Sequence, residues 1–215
     1  MFEGFRPETI DFLWGIRLNN RKDWFDEHKG EYLQYLYEPM KALGAAVFEP
    51  LQDVPGMALH VSRIYRDARY AHGLPYKDSL WLSIRHDDGG YWAERPCLYF
   101  DLHPDYFGYG FGVIWPRADA MQRFRESITA RPDEFLKLVK KIHRDTGFSI
   151  SGECYKRKKP CPDPRLEPYY NLKQIFCLTE QPIGEELFQP QLADTVAKTL
   201  KNLMPLYAYC QKFAY

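Results

Sequence analysis

The residues best suited to chemistry lie between His60 and Lys77, in the stretch HVSRIYRDARYAHGLPYK. Arg63, Arg66 and Arg69 are spaced three apart. A helix or turn would gather them within an arc of about 120°, whereas an extended strand would throw neighbours onto opposite faces. A guanidinium is a planar fork that takes a carboxylate or phosphate through paired hydrogen bonds, and Lys77 adds a compact ammonium. Tyr65, Tyr70 and Tyr76 supply hydroxyls and ring faces beside these cations. With Asp67 orienting the arginines, the segment reads as an anion site contacted by Arg63, Arg66, Arg69, Tyr76 and Lys77. The same arginines could instead pair with Asp67 and with the acidic first sixty residues, fixing helices to sheet. Spacing leaves both readings open.

A second basic cluster, Lys156, Arg157, Lys158 and Lys159, comes much later in the chain. Folded back beside the first, Lys156 and Arg157 would close a strongly cationic pocket; as an exposed loop they would be solvated. Asp101 and His103, two apart on an alternating segment, share a strand face, so the carboxylate could orient the histidine as a general base. A polar strand face meeting solvent or pairing with an arginine explains that pair more readily. The other histidines form no H-E-x-x-H spacing, and Asp87-Asp88 reads as turn chemistry rather than a cation loop. Gly108-x-Gly110-x-Gly112 sits within a strand pattern instead of opening a helix, so it is no dinucleotide fingerprint. Neither a metal nor a cofactor is expected. Cys97, Cys154, Cys161, Cys177 and Cys210 contain no C-x-x-C pair and are expected to be reduced. Beside the lysines, exposed thiols at Cys154 and Cys161 would have lowered pKa values.

These residues need elements to position them. Ile10, Leu13, Trp14 and Leu18 predict a helix over Pro7–Leu18, stopped by Asn19-Asn20. A longer helix from Lys22 carries Phe25, Tyr32, Leu36, Met40, Leu43, Val47 and Leu51 on one stripe, and Pro39 should kink or divide it. Trp24 and Phe25 are expected to pack in the core. The period then shortens to two: Leu80, Leu82 and Ile84 alternate with polar or aromatic neighbours, as do Leu98, Phe100 and Leu102, with Asp87-Asp88-Gly89-Gly90 as the turn between. From Phe107 to Trp115 the odd-numbered positions are large and apolar while Gly108, Gly110 and Gly112 leave the other face bare, a face a crossing helix is expected to cover. Helices follow over Ala118–Ala130 and Pro132–Asp145, the latter ended by Gly147 and with Lys137, Lys140, Lys141 and Arg144 on a solvated face. Ser149–Tyr155 reads weakly as a strand and Gln174–Leu178 as another short one. A last helix from about Gln191 carries Leu192, Val196, Leu200, Leu203, Tyr207 and Cys210 on one side.

The whole is expected to be one α+β domain over its 215 residues, with N-terminal helices, a central mainly antiparallel sheet, two mid-chain helices and a C-terminal helix. Lysine plus arginine and aspartate plus glutamate both number 29, which argues against a protein that binds nucleic acid through a global basic field. That neutrality hides a net charge of −4 over residues 1–60 and +6 over residues 137–159. No apolar run approaches a membrane span, and Glu3, Arg6 and Glu8 near the start exclude a signal-peptide pattern, so no membrane partner and a cytoplasmic location are expected. The oligomeric state is not legible.

The motifs resemble a family of soluble, mostly bacterial proteins called domain of unknown function 2461. The resemblance runs along nearly the whole chain: Phe12-Leu13, Asn19-Asn20 and Trp24-Phe25 at the start, then Arg63-Ile64-Tyr65-Arg66-Asp67-Ala68-Arg69-Tyr70 and Pro75-Tyr76-Lys77. The glycine-rich strand from Gly108 to Trp115, Lys156-Arg157 and the segment Pro168–Lys173 complete it. Tyr70 stands where the family usually has Phe, and the stretch Lys158 to Cys161 is more cationic than usual. The resemblance implies a compact α+β domain and makes the RIYRDARY…PYK segment a family signature; it implies no ligand. The leading expectation is a domain that binds or acts on a phosphate- or carboxylate-bearing small molecule, with Asp101 and His103 the candidate acid and base. A structural or protein-interaction module with internally paired arginines is the alternative, and local nucleic-acid binding through residues 137–159 a third.

Overall fold

The computed structural model describes residues 1–67, 69, 71 and 73–213. Ala68, Tyr70, His72, Ala214 and Tyr215 lie outside the described residues, so the expectations for Tyr70 and His72 have no structural counterpart. The fold is α+β. Its elements are α1 (Pro7–Leu18), α2 (Lys22–Glu31), α3 (Glu38–Phe48), β1 (Met57–Val61), β2 (Leu80–His86), β3 (Cys97–Leu102), β4 (Tyr106–Val113), α4 (Ala118–Ala130), α5 (Pro132–Thr146), the single turn α6 (Glu167–Tyr170), β5 (Ile175–Pro182) and α7 (Leu192–Gln211). The five strands form an antiparallel sheet in the order β1-β2-β3-β4-β5. By contacts the chain divides into two compact units. The first comprises Met1–Ile84, Phe100–Tyr109 and Glu180–Lys198; the second comprises Arg85–Tyr99, Gly110–Thr179 and Thr199–Tyr215.

In the first unit, α1 matches the predicted span and buries Phe12, Leu13 and Ile16. The long helix expected from Lys22 is divided, and the structure shows how. Between α2 and α3 the backbone widens into a π-helical turn over Tyr32–Tyr37, immediately before Pro39. In an α-helix the Tyr35 carbonyl would receive the N–H of residue 39, which a proline lacks. Thr9, fully buried on α1, supplies the missing donor: its hydroxyl donates to that carbonyl. The helix break is thereby satisfied from a neighbouring helix instead of being left as a buried orphan. Phe100 on β3 packs its ring against Phe5 and Phe107, each with centroids 6.0 Å away.

Strand β1 had no counterpart in the sequence reading, although Met57, Leu59 and Val61 alternate with Ala58 and His60. In β4, Phe107, Tyr109, Phe111 and Val113 are buried as expected, but the strand stops at Val113 and Trp115 beyond it is 62% exposed. At Gly110 and Gly112 what meets the bare glycine face is a strand. The neighbouring strand β5 approaches it: a Cβ on Gly110 would lie 2.4 Å from the Cys177 carbonyl oxygen, and one on Gly112 would lie 3.0 Å from the Phe176 ring. Small residues there let two backbones close up.

In the second unit, α4 buries Met121, Phe124 and Ile128, and α5 buries Phe135 and Ile142 and ends at Gly147, whose φ of 77° is the left-handed conformation glycine tolerates. Lys137, Lys140, Lys141 and Arg144 lie on a face that meets solvent, as read from the pattern. Ser149–Tyr155 forms isolated bridges, Ser151 with Phe176 and Cys154 with Leu172.

Candidate functional site

Among its described residues the signature segment forms neither an α-helix nor a regular strand. It leaves β1, turns out and returns, so that residues 64–66 face residues 75–77 in a short antiparallel pairing. Tyr65 and Tyr76 form the bridge, Arg66 N–H donates to the Pro75 carbonyl at 2.9 Å, and Lys77 N–H donates to the Ile64 carbonyl at 2.7 Å. Asn20, between α1 and α2, and Phe25 of α2 hold this ribbon. The Asn20 side chain donates from Nδ2 to the Tyr76 carbonyl and accepts the Tyr76 N–H on Oδ1, both at 3.0 Å. Phe25 stacks on the buried Tyr76 ring with centroids 4.3 Å apart. Phe25 packs in the core as expected, while Trp24 is only half-buried, lying against Gly15 and stacking on His28.

The three arginines do not converge. Arg66 bends back to donate from Nε to the Tyr76 carbonyl at 2.7 Å and lies 3.8 Å from Asp78. Arg69 forks onto Asp67, whose carboxyl is held at about 2 by the Arg69 hydrogen bonds to its side chain and from the Arg69 backbone. Arg63 is exposed. Asp67 therefore orients one arginine only.

Asp78 is shared. Arg17, in the last turn of α1, donates from Nε to Asp78 at 2.7 Å and from Nη1 to Asp105, while its guanidinium lies 4.8 Å above the Trp14 ring. Burial pushes the Asp78 carboxyl up, but the Arg17 hydrogen bond and the charges of Arg17 and Arg66 outweigh it, so its pKa falls below the ordinary value. Lys77 stands beside this network. It is half-buried, its ammonium lies 5.7 Å over the Trp81 ring, and it makes no ion pair among the described residues. Burial first, and the Arg66 charge second, bring its pKa down to about 8. Arg17 and Arg66 thus share Asp78, and Arg17 also pairs with Asp105, while Lys77 lies outside these pairs.

Asp101 lies on β3 and His103 directly follows its end, and the two side chains meet. His103 Nε2 lies 3.1 Å from Asp101 Oδ2, and its ring stacks on Tyr106 with centroids 4.3 Å apart. The two side chains are 25% and 24% exposed, so the pair meets solvent while its orientation is fixed. A histidine so held can exchange a proton.

Lys156 and Arg157 belong to the second unit, both exposed, with Arg157 lining a cavity beside α4. The five cysteines are all free. Burial raises the pKa of Cys97 and of Cys177 to about 12. Cys161 is part-buried and does not meet the condition of exposure on which a lowered pKa depended: burial pushes its pKa up, the hydrogen bond to the Asp163 carbonyl opposes this, and Glu167 adds to the rise. Among the described residues no three His, Cys, Asp or Glu side chains gather as a metal site.

The family model described as "Conserved hypothetical protein (DUF2461)" matches residues 8–209. The chain belongs to the DUF2461 family. No curated protein matches it. Within a DUF2461 chain, the roles of the motif residues follow from their contacts: Asn20 and Phe25 of the opening motif lock the backbone and ring of Tyr76, and Arg66 locks the same carbonyl. Arg17 and Asp78 escaped the sequence reading. Arg17 looks like an ordinary helix-end cation, since its partners are 61 and 88 residues away. Asp78, directly after Lys77, was the available signal. Among the described residues no helix is long and apolar enough to cross a membrane.

Proposed function

We propose that this DUF2461 protein binds a small phosphate- or carboxylate-bearing molecule at the signature ribbon, with Lys77 as the principal anion contact and Arg66 as the neighbouring cation. The observation that carries the proposal is Lys77 itself: a half-buried ammonium beside a guanidinium, with no ion-pairing carboxylate among the described residues. Burying an unpaired charge is costly, and an anionic ligand is the partner that would offset that cost. Asp101 and His103 are the acid–base pair available should the bound molecule be acted on. Free thiols throughout accord with a reducing, cytoplasmic setting, which is part of the same proposal.

A specific observation favours a second reading. Arg66 and Arg69 are engaged internally, Arg66 with a backbone carbonyl, so the ribbon's arginines can serve to hold its shape. Lys77 separates the two. Thermal denaturation is to be followed with inorganic phosphate, a sugar phosphate, a nucleoside monophosphate and a dicarboxylate, for the parent protein and for Lys77→Met. The proposal expects stabilisation by at least one anion, weakened tenfold or more in Lys77→Met. Stabilisation by none, or equal stabilisation of both proteins by every anion, rejects it and leaves the structural reading.

A further inference from the structure

The second unit holds a cationic cavity of about 430 Å³, lined on one side by Ala118, Asp119, Gln122 and Arg125 of α4 and on the other by Tyr155, Arg157, Lys159 and Asn171. Ala118, Gln122 and Arg125 fall at i, i+4 and i+7 and so share one helix face. Arg125 is only 5% exposed, which is unusual for a charged side chain, and among the described residues it pairs with no carboxylate. Its guanidinium lies 5.7 Å from the Tyr155 ring centroid and donates from Nε and Nη2 to one acceptor, Gln122 Oε1, at 3.2 and 3.0 Å. Lys159 Nζ donates to the same oxygen at 3.0 Å. The Gln122 amide is oriented for this because its Nε2 donates to Glu126 at 2.9 Å. One neutral oxygen therefore sits between a guanidinium and an ammonium, where charge complementarity calls for an anion.

The opposite wall is fixed as well. Buried Asn171 accepts the Lys159 N–H on Oδ1 at 2.9 Å and donates from Nδ2 to the Lys159 carbonyl at 3.0 Å, while its own carbonyl receives the Tyr155 N–H at 3.0 Å. The basic loop is thus held at its base even though its side chains are exposed. The acidic group on the cavity lining, Asp119, is already shared by Arg117 and Arg123 at 3.3 and 3.1 Å. The cavity is larger than inorganic phosphate requires and falls within the range of small-molecule sites, roughly 300–1,000 Å³.

We infer that this cavity is an oxyanion site for the phosphate monoester of a small organic molecule, with Arg125 and Lys159 on the phosphate, Arg157 at the mouth and Tyr155 beside the organic part. A phosphate monoester is close to a dianion at neutral pH, which matches three cations better than a single carboxylate does. The site lies in a different unit from Lys77 and stands independently of the proposal for the signature ribbon.

Calorimetric titration with ribose 5-phosphate, adenosine monophosphate, inorganic phosphate and succinate tests it, on the parent protein, Arg125→Met, Lys159→Met and Lys77→Met. The inference expects an organic phosphate to bind at a site that persists in Lys77→Met, whatever that change does at the signature ribbon, and that is at least tenfold weaker in Arg125→Met and in Lys159→Met. Lys159→Met alters an exposed side chain, so the result does not hang on the folding of Arg125→Met. Binding of neither organic phosphate to the parent protein overturns the inference, as does binding of inorganic phosphate or succinate as tight as that of the organic phosphates. Organic phosphate binding that is lost only in Lys77→Met overturns it too, and assigns the ligand to the signature ribbon.

Discussion

The side chain of Asn20 holds the backbone of Tyr76 from both sides, donating to its carbonyl and accepting its N–H, each at 3.0 Å. An asparagine amide carries the same donor and acceptor pair as a peptide group, so Asn20 acts as one residue of a β-partner contributed by the connection between α1 and α2. Asn171 treats Lys159 in the same way. In each case the clamped residue carries, or directly precedes, a lysine of a cationic cluster. Replacing Asn20 with Ala leaves the Tyr76 N–H without that acceptor, and is expected to cost about 2 kcal/mol in urea unfolding. Asn20→Asp should recover only part of the loss, since a carboxylate accepts the N–H but cannot donate to the carbonyl.

The Thr9 hydroxyl and Pro39 are coupled through the Tyr35 carbonyl. Thr9→Val removes the donor with little change of shape and should cost roughly 1–3 kcal/mol, the range for orphaning a buried polar group. In a Pro39→Ala background the alanine N–H can take over that carbonyl, so the same Thr9→Val change should cost less. Equal costs in the two backgrounds, measured by chemical denaturation, would contradict the coupling.

Two glycines should respond in opposite directions. Gly110→Ala places a Cβ 2.4 Å from the Cys177 carbonyl oxygen and 2.6 Å from the Leu178 Cα, backbone neighbours that cannot turn aside. A loss of more than about 2 kcal/mol is expected from that overpacking. Gly30 lies inside α2, and a Cβ there would meet nothing within 4 Å, so Gly30→Ala should raise stability by about 0.5–1 kcal/mol. Urea unfolding of the two variants checks both signs.

Much of the scaffold was legible because it rests on periodicity. The stripes of α1, α4, α5 and α7 and the alternation in β2, β3 and β4 each come from burying one face, and local pattern encodes that directly. β1 was missed because alternation over five residues is too brief to stand out beside the arginines that follow. The position of the π turn depends on Thr9, in another helix, as well as on Pro39. The signature cluster was recognised by residue type, but its internal arrangement was not: the chief partner of Arg66 is a backbone carbonyl, which no side-chain pattern announces, and Arg17 reaches its carboxylates only through the fold. Arg125 hid in the apolar stripe of α4, beside Phe124, where an arginine reads as a solvated neighbour.

The lysine at the centre of the ribbon makes stability depend on pH. Its pKa is about 8 when folded, below the ordinary lysine value of 10.5. Between these values the unfolded chain binds a proton that the folded protein does not, so stability rises with pH across that window, and the strain of holding the charge is fully present below pH 8. Urea unfolding at intervals between neutral pH and pH 10 should show the parent protein gaining stability relative to Lys77→Met across that window, the opposing contribution of the buried thiols being common to both proteins.

If the signature ribbon presents Lys77 to an anion, the Lys77 amine itself reports the encounter. Its titration can be followed by NMR, assigned with Lys77→Met, with and without organic phosphates and dicarboxylates. An apparent pKa near 8 in the free protein, moving upward when one of these anions is added, is the predicted result. An amine that titrates at the ordinary 10.5, or one near 8 that no anion moves, would contradict it.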